Sequence, residues 1–294
     1  MCEFNTEFLI RKDDAYKGDF GHIFVLAGAK GFTGAAFLCS QAALLSGAGL
    51  VTLGIPESLN CILAVKLTEA MTLPLPETEQ GTLDFTAFKK IKEFINKFDV
   101  LAIGPGLSQN LSTQMLVRKI VGDIDKPMVI DADGLNALCG HLHLLKANKS
   151  VKIITPHLGE MARLLHREKI LKKERSTLAK TFASMYNVIT VLKGAQTVVS
   201  AADGRVFINT TGNPGMAKGG TGDVLTGIVA ALLAQQTHQA FNAAKAAVYA
   251  HGLSGDIALQ NVAQISLLAS DILSNLPIAF KQMENAGVAQ WKRS

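Results

Sequence analysis

The sequence predicts an α/β fold in which helices cover both sides of a mostly parallel central sheet. Three observations carry that prediction. Short β-branched runs alternate with longer helical patterns from residue 22 to residue 194, an order that yields parallel strands joined by right-handed crossovers. Several of these runs are almost wholly apolar, as strands buried on both faces are. The runs also end in glycine, acid, histidine or lysine, and ligands of such sheets gather beyond the carboxyl ends of the strands.

In chain order the strand-like runs are HIFVLAG (22–28), LVTLGIP (50–56), DVLAIGPG (99–106), KPMVIDAD (126–133), VKIITPH (151–157) and NVITVLKG (187–194). Helical patterns fill the intervals at 34–47, 84–97, 111–120, 135–146, 158–166 and 174–185. After residue 195 the texture changes. QTVVSAA and RVFINT flank Asp203-Gly204, a hairpin turn signal. Three helical segments, 220–235, 238–259 and 269–284, then close the chain. No linker, repeat or low-complexity stretch interrupts the 294 residues, so a single domain spanning 1–294 is expected.

Composition narrows the function. Hydrophobic residues make up 48% and charged residues 18%, which excludes a disordered chain. No stretch reaches the roughly 18 uninterrupted apolar residues of a membrane helix, and the mixed N-terminal MCEFNTEFLIRKDDAYKGDF lacks the apolar core of a secretion signal. The four cysteines, Cys2, Cys39, Cys61 and Cys139, form no CxxC pair; Cys39 and Cys139 read as reduced core residues, and the cytoplasm is the expected compartment. The net charge is +5, with the densest basic stretch at HREKILKKERSTLAK (166–180). No aromatic residue is interleaved there for base stacking, and Glu168 and Glu174 break up the field, so it reads as a solvated helix face rather than a nucleic-acid site. A modest basic excess also suits small phosphate-bearing ligands.

The strand ends place Gly28-Ala29-Lys30-Gly31, Gly104-Pro105-Gly106, Asp131-Ala132-Asp133, Thr155-Pro156-His157 and Lys193-Gly194 around one expected crevice. GAKGFTGAA (28–36) fails the dinucleotide fingerprint because Lys30 stands at the second glycine position. Its glycines serve either an anion or close helix–strand packing. GMAKGGTGD (215–223) is no Walker A loop, since Lys218 is followed by glycine. Glycines 219, 220 and 222 still turn backbone donors toward one point, and the next helix adds its positive end. Asp223 is then either a helix cap or a base taking a proton from a hydroxyl that attacks the phosphate. Glu160 either completes a capping box with Thr155 or His157 or holds a magnesium ion through water. Lys193 is a turn lysine or a phosphate contact, and Asp131 and Asp133 suit a helix start. No His/Cys cluster supports zinc.

Taken together, these motifs resemble the ribokinase-like superfamily, and more narrowly the ADP/ATP-dependent NAD(P)H-hydrate dehydratases. The likeness runs in order through KGDFGHIFVLAGAKGFTGAA, GAGLVTLGIPE, MTLPLPET, IGPGL, VIDADGLNAL, TPHLGEMARLL, VLKGAQTVV and GNPGMAKGGTGDVL. TPHLGEMARL, and NPGMA ahead of GGTGD, separate this branch from sugar and vitamin kinases. The resemblance implies a three-layer α/β/α ribokinase-like fold and repair of hydrated NADH or NADPH (NADHX, NADPHX), with ADP or ATP as co-substrate and Mg2+. It implies a hydrate site of Ala35, Gly106, His157 and Asp223. The nucleotide site would comprise Lys193, Gly194, Ala195, Gln196, Thr197 and Gly222. Gly220, Thr221 and Gly222 would form an anion hole beside the catalytic Asp223. Lys218 departs from the small Thr or Ser usual in the family. The stand-alone form, lacking the fused epimerase domain, would depend on a separate epimerase, and its prokaryotic relatives favour ADP. The alanine-rich final helices permit a homo-oligomer. Two other readings compete: a small-molecule kinase acting on a hydroxymethyl vitamin precursor, and a nucleotide sensor without turnover.

Overall fold

The computed structural model describes the backbone of residues 9–291, with side chains as far as residue 286; Cys2 and the start of the N-terminal stretch lie outside these residues. One nine-stranded sheet runs through the chain in the order β3-β2-β1-β4-β5-β6-β7-β8-β9. Its strands are β1 (His22–Leu26), β2 (Leu50–Pro56), β3 (Met71–Leu75), β4 (Val100–Ile103), β5 (Met128–Ile130), β6 (Lys152–Ile154), β7 (Ile189–Leu192), β8 (Val198–Ser200) and β9 (Val206–Ile208). Pairing is parallel from β3 through β7 and antiparallel from β7 to β9.

The apolar runs are strands with two buried faces. Along β1, Ile23 and Val25 enter one core while Phe24 and Leu26 enter the other, as a period of two requires. The first core lies under α1 (Thr33–Leu45), α2 (Asn60–Lys66), α8 (Thr221–Gln235), α9 (Ala240–Ala258) and α10 (Ala269–Trp291). The second lies under α3 (Ala87–Phe94), α4 (Leu111–Asp123), α5 (Ala132–Ala137), α6 (Leu158–Leu164) and α7 (Arg175–Tyr186). Three layers result, as expected.

Two elements escaped the sequence reading. Pro74 and Pro76 disguised MTLPLPET, yet Met71–Leu75 is strand β3. Proline is tolerated there because β3 is the sheet edge, where a missing N–H removes no needed ladder bond. The short helix α2 leads into it. The expected helix 135–146 divides into α5 and a 3-10 turn at Leu142–Lys146, and most strands stop before their terminal glycines or acids, which form the turns beyond.

Helix α8 is the central helix of its layer. Every residue from Val224 to Leu233 is buried, and each large aliphatic side chain among them contributes about 1.5–3 kcal/mol. It lies against α1 at very short range because Gly227 has no side chain: a Cβ there would stand 2.2 Å from the Cys39 carbonyl oxygen and 2.8 Å from Ala42 Cβ. Gly227→Ala should therefore lower stability by about 2 kcal/mol or more, read by chemical denaturation; an unchanged midpoint would show that α1 and α8 can separate freely.

Candidate functional site

The sheet reverses its outward growth between β1 and β4, the switch point where α/β crevices open. There the Gly28 amide donates to the Pro105 carbonyl at 2.8 Å. Gly28 has φ +87, and a Cβ on it would meet Ala36 Cβ at 2.9 Å; its glycine serves close packing. Gly106 (φ +63) fits against Ala35, with their Cβ positions 2.9 Å apart. Ala35 and Gly106 thus form one small surface at the start of α1.

Further along the same sheet edge lies a cavity of about 760 Å³. Lys193, Gly194, Ala195, Gln196 and Thr197 line it, as do His157, Lys218, Gly219, Thr221 and Gly222. The glycine bed ends at Gly220, whose φ of +90 places it at the N-cap of α8, a conformation glycine adopts at little cost. A side chain on Gly219 would meet nothing within 4 Å, so the loop opens directly onto the void. Backbone donors at the start of a 15-residue helix and its positive end favour an anion here.

Asp223 is the third residue of that helix, and the N-cap position belongs to Gly220, so its carboxylate is not the N-cap. Burial, reinforced by the charges of Asp131, Asp133 and Glu160 and opposed by Lys193, raises its pKa from 3.8 to about 7. Burial, with the charges of Asp223 and Asp131 adding to it, pushes the Cys39 thiol well above its ordinary value. Cys39 is buried, Cys139 partly so, and both are free, as is the exposed Cys61.

Asp131 is the fully buried hub of the site. It stands at the start of α5 without capping it. Its Oδ1 accepts from Lys193 Nζ at 2.6 Å and its Oδ2 from Thr226 Oγ1 at 2.7 Å. Lys193 lies 3.7 Å from Glu160 as well. Burial pulls the ammonium's pKa down, but attraction to Asp131, Glu160 and Asp223 outweighs it and the net shift is upward, so Lys193 is charged. A Cβ on Gly222 would lie 3.3 Å from its Nζ, which places the cation beside the cradle. Asp133 accepts from the Ser108 amide at 2.8 Å and from Asn136 Nδ2 at 3.1 Å, so from within α5 it ties the Ser108 loop to that helix.

His157 and Glu160 form the capping box of α6. His157 Nδ1 accepts from the Gly159 amide at 2.9 Å and Glu160 Oε2 from the His157 amide at 2.7 Å. The imidazole remains about half exposed, at 53%, and lines the cavity. Among the described residues no group of three His, Cys, Asp or Glu side chains could hold a metal ion.

Two features were missed from sequence. Thr226 sits inside an apolar run, where a lone hydroxyl gave no signal. Arg175 was absorbed into the solvated basic face, yet its guanidinium donates to the carbonyls of Leu192, Ala195 and Gln196 and so shapes the loop that lines the cavity. Lys218 turns outward and donates to the Ile265 carbonyl at 2.6 Å.

The strand order and three layers define a ribokinase-like fold, with an amide cradle, a paired lysine and a carboxylate of near-neutral pKa at its carboxyl edge. Solved structures share the frame: a ribokinase-like superfamily protein of Enterococcus faecalis matches with a TM-score of 0.77 and 28% identity, covering 95% of both chains. The chain belongs to the NAD(P)H-hydrate dehydratase family, whose model matches residues 23–278. It is similar to the ADP/ATP-dependent NAD(P)H-hydrate dehydratase of Bacillus subtilis, co-crystallised with ATP and Mg2+, at a TM-score of 0.79 and 32% identity over 93% of each chain. It is also 42% identical, over 93% of its length, to the bifunctional NAD(P)H-hydrate repair enzyme Nnr of Moorella thermoacetica. The chain spans about half the length of the curated relatives it matches, 52% in that case.

The pKa of Asp223 has a stability consequence. The fold holds this proton up to about pH 7 and the unfolded chain only to about 3.8, so its stabilising effect is complete below the lower value and is lost as pH rises to the upper one. Asp223→Asn, which cannot ionise, should gain stability relative to the parent between pH 5 and pH 8, by on the order of 2 kcal/mol. Denaturation at both pH values checks this; a constant difference would mean that Asp223 is ionised throughout.

Proposed function

We propose that this chain restores hydrated NADH and NADPH to the reduced cofactors, using ADP or ATP to convert a poor leaving group into phosphate. The observation that carries this is the position of Asp223, a carboxylate of pKa about 7 in the first turn of a helix whose amides face a nucleotide-sized cavity. Family membership and the likeness to a dehydratase crystallised with ATP and Mg2+ support it.

Asp223 takes the proton of the hydrate's hydroxyl as that oxygen attacks the terminal phosphorus of the nucleotide. Amides of Gly220, Thr221 and Gly222 stabilise the charge on the transferring group, and one such donor is worth roughly 3 kcal/mol. The Lys193 ammonium adds a fixed positive charge beside Gly222. The lone pair of the substrate's ring nitrogen then expels inorganic phosphate, and loss of a proton from the neighbouring ring carbon, to the departing phosphate or to solvent, restores the ring double bond. The overall change consumes hydrate and ADP and forms reduced cofactor, AMP and phosphate. Ala35, Gly106 and His157 hold the hydrate, and the 193–197 loop with Gly222 holds the nucleotide.

Mg2+ brought in with the nucleotide would supply charge neutralisation to its phosphates. Glu160 fits a contact through water: its Oε2 is engaged by the His157 amide and lies near Lys193, which leaves no carboxylate cage. The scheme also includes a single ribokinase-like domain, a separate epimerase supplying the reactive epimer, a homo-oligomer and a cytoplasmic location. Among the described residues no helix is long and apolar enough to cross a membrane.

Hydrated NADH offered with ADP or ATP should regain the near-ultraviolet absorbance of NADH and release phosphate one for one. A stable phosphorylated product would point to a kinase instead. Asp223→Asn should abolish turnover while nucleotide affinity, measured by calorimetry, changes less than about threefold; near-normal turnover would remove Asp223 as the base.

A further inference from the structure

His251 is a cavity-lining histidine on α9 that the scheme above does not use. Its Nε2 lies 2.9 Å from the Thr221 carbonyl oxygen. A carbonyl only accepts, so Nε2 carries the hydrogen and donates it. Burial, with the charge of Lys193 adding to it, lowers the imidazole's pKa to about 4, and the donor keeps this form across the physiological range.

Thr221 is held a second time, its Oγ1 donating to the Lys218 carbonyl at 3.0 Å. These two bonds fix the glycine turn and the first peptide of α8 between them. The same helix that carries His251 also anchors the opposite wall of the cavity. Asn209 Nδ2 donates to the Val248 carbonyl at 3.0 Å, and Thr211 Oγ1 to the Tyr249 carbonyl at 2.9 Å. Asp256 accepts from the Gly212 amide at 2.8 Å and from Asn213 Nδ2 at 2.9 Å. Gly252 allows this close approach, since a Cβ there would stand 2.3 Å from Thr211 Oγ1. Positions 248, 252 and 256 recur every four residues and so form one stripe of the helix, and His251 stands beside it.

We propose that His251 is a positioning residue for phosphoryl transfer, its Nε2–H holding the Thr221 carbonyl so that the amide cradle stays in register with the wall anchored on the same helix. This rests on the reading that the cradle binds the transferring phosphoryl group. Of the nucleotide contacts proposed above, the 193–197 loop is anchored by Arg175 rather than by His251, and only Gly222, next to the carbonyl that His251 holds, depends on it. Its loss is therefore felt at the reacting phosphorus rather than in ground-state binding, where a displacement of about 1 Å costs on the order of 100-fold in rate.

The test compares His251→Leu with His251→Gln, whose side-chain amide restores a donor. His251→Leu should lower kcat by about 100-fold with ADP affinity within about threefold by calorimetry, and His251→Gln should recover most of the rate. Amide hydrogen exchange of Val224, which donates to the Gly220 carbonyl and closes the first turn of α8, should speed up in the leucine variant and return toward normal with glutamine. Should the leucine variant not fold, His251→Asn, too short to reach Thr221, takes its place. Full turnover in the leucine variant, equal defects with leucine and glutamine, or unchanged exchange would each overturn the assignment. The exchange measurement needs no turnover, so it decides the role of His251 even if the parent protein fails to act on hydrated NADH.

Discussion

The site depends on a buried ion pair that joins three distant parts of the chain. Asp131 follows β5, Lys193 follows β7 and Thr226 lies on α8, and the one carboxylate binds both of the others. Strand β6 separates β5 from β7, so the lysine must reach back across a strand spacing of about 4.8 Å on each side. Removing one member of such a pair typically costs about 3–5 kcal/mol, because the remaining charge is left buried and unpaired. The pair is weak evidence for stability in itself. Its consequence is positional: it holds the cation beside the first turn of α8.

That placement also sets the electrostatics. Asp131, Asp133, Glu160 and Asp223 crowd one end of the sheet against a single close ammonium. An isolated carboxylate buried there would be costly, and the proton is retained instead. A base for a hydroxyl works best when its pKa lies near the working pH, and burial, reinforced by the neighbouring like charges, produces this. An incoming phosphate meets the same acids, so its binding depends on the amides, the helix end and Lys193. Glycine at 219, 220 and 222 lets these donors approach without intervening side chains.

The layered fold was legible from residue pattern alone, because strands buried on both faces leave continuous apolar runs and their terminal glycines mark the turns. Proline hid β3, for an edge strand tolerates what a central strand cannot. In the site, the glycine bed and Asp223 were legible because the chemistry is compressed into nine consecutive residues. Glu160 was legible as a cap or a metal contact, and the capping box is formed. Asp131 and Asp133 both stand at the start of α5 without capping it: the Asp131 carboxylate takes the Lys193 ammonium beyond β7 and the Thr226 hydroxyl of α8, and Asp133 takes the Ser108 amide and Asn136.

By itself the sequence determined the α/β class, the alternation of strands and helices apart from β3 and α2, the glycine cradle and the acid at its edge, since each is a local property of spacing or of backbone freedom. Only the tertiary structure decided the charge pairing of Lys193, the near-neutral pKa of Asp223, the anchoring of the 193–197 loop by Arg175 and the contact of His251 with Thr221. Those depend on burial and on distances between segments up to 95 residues apart, which no local pattern encodes.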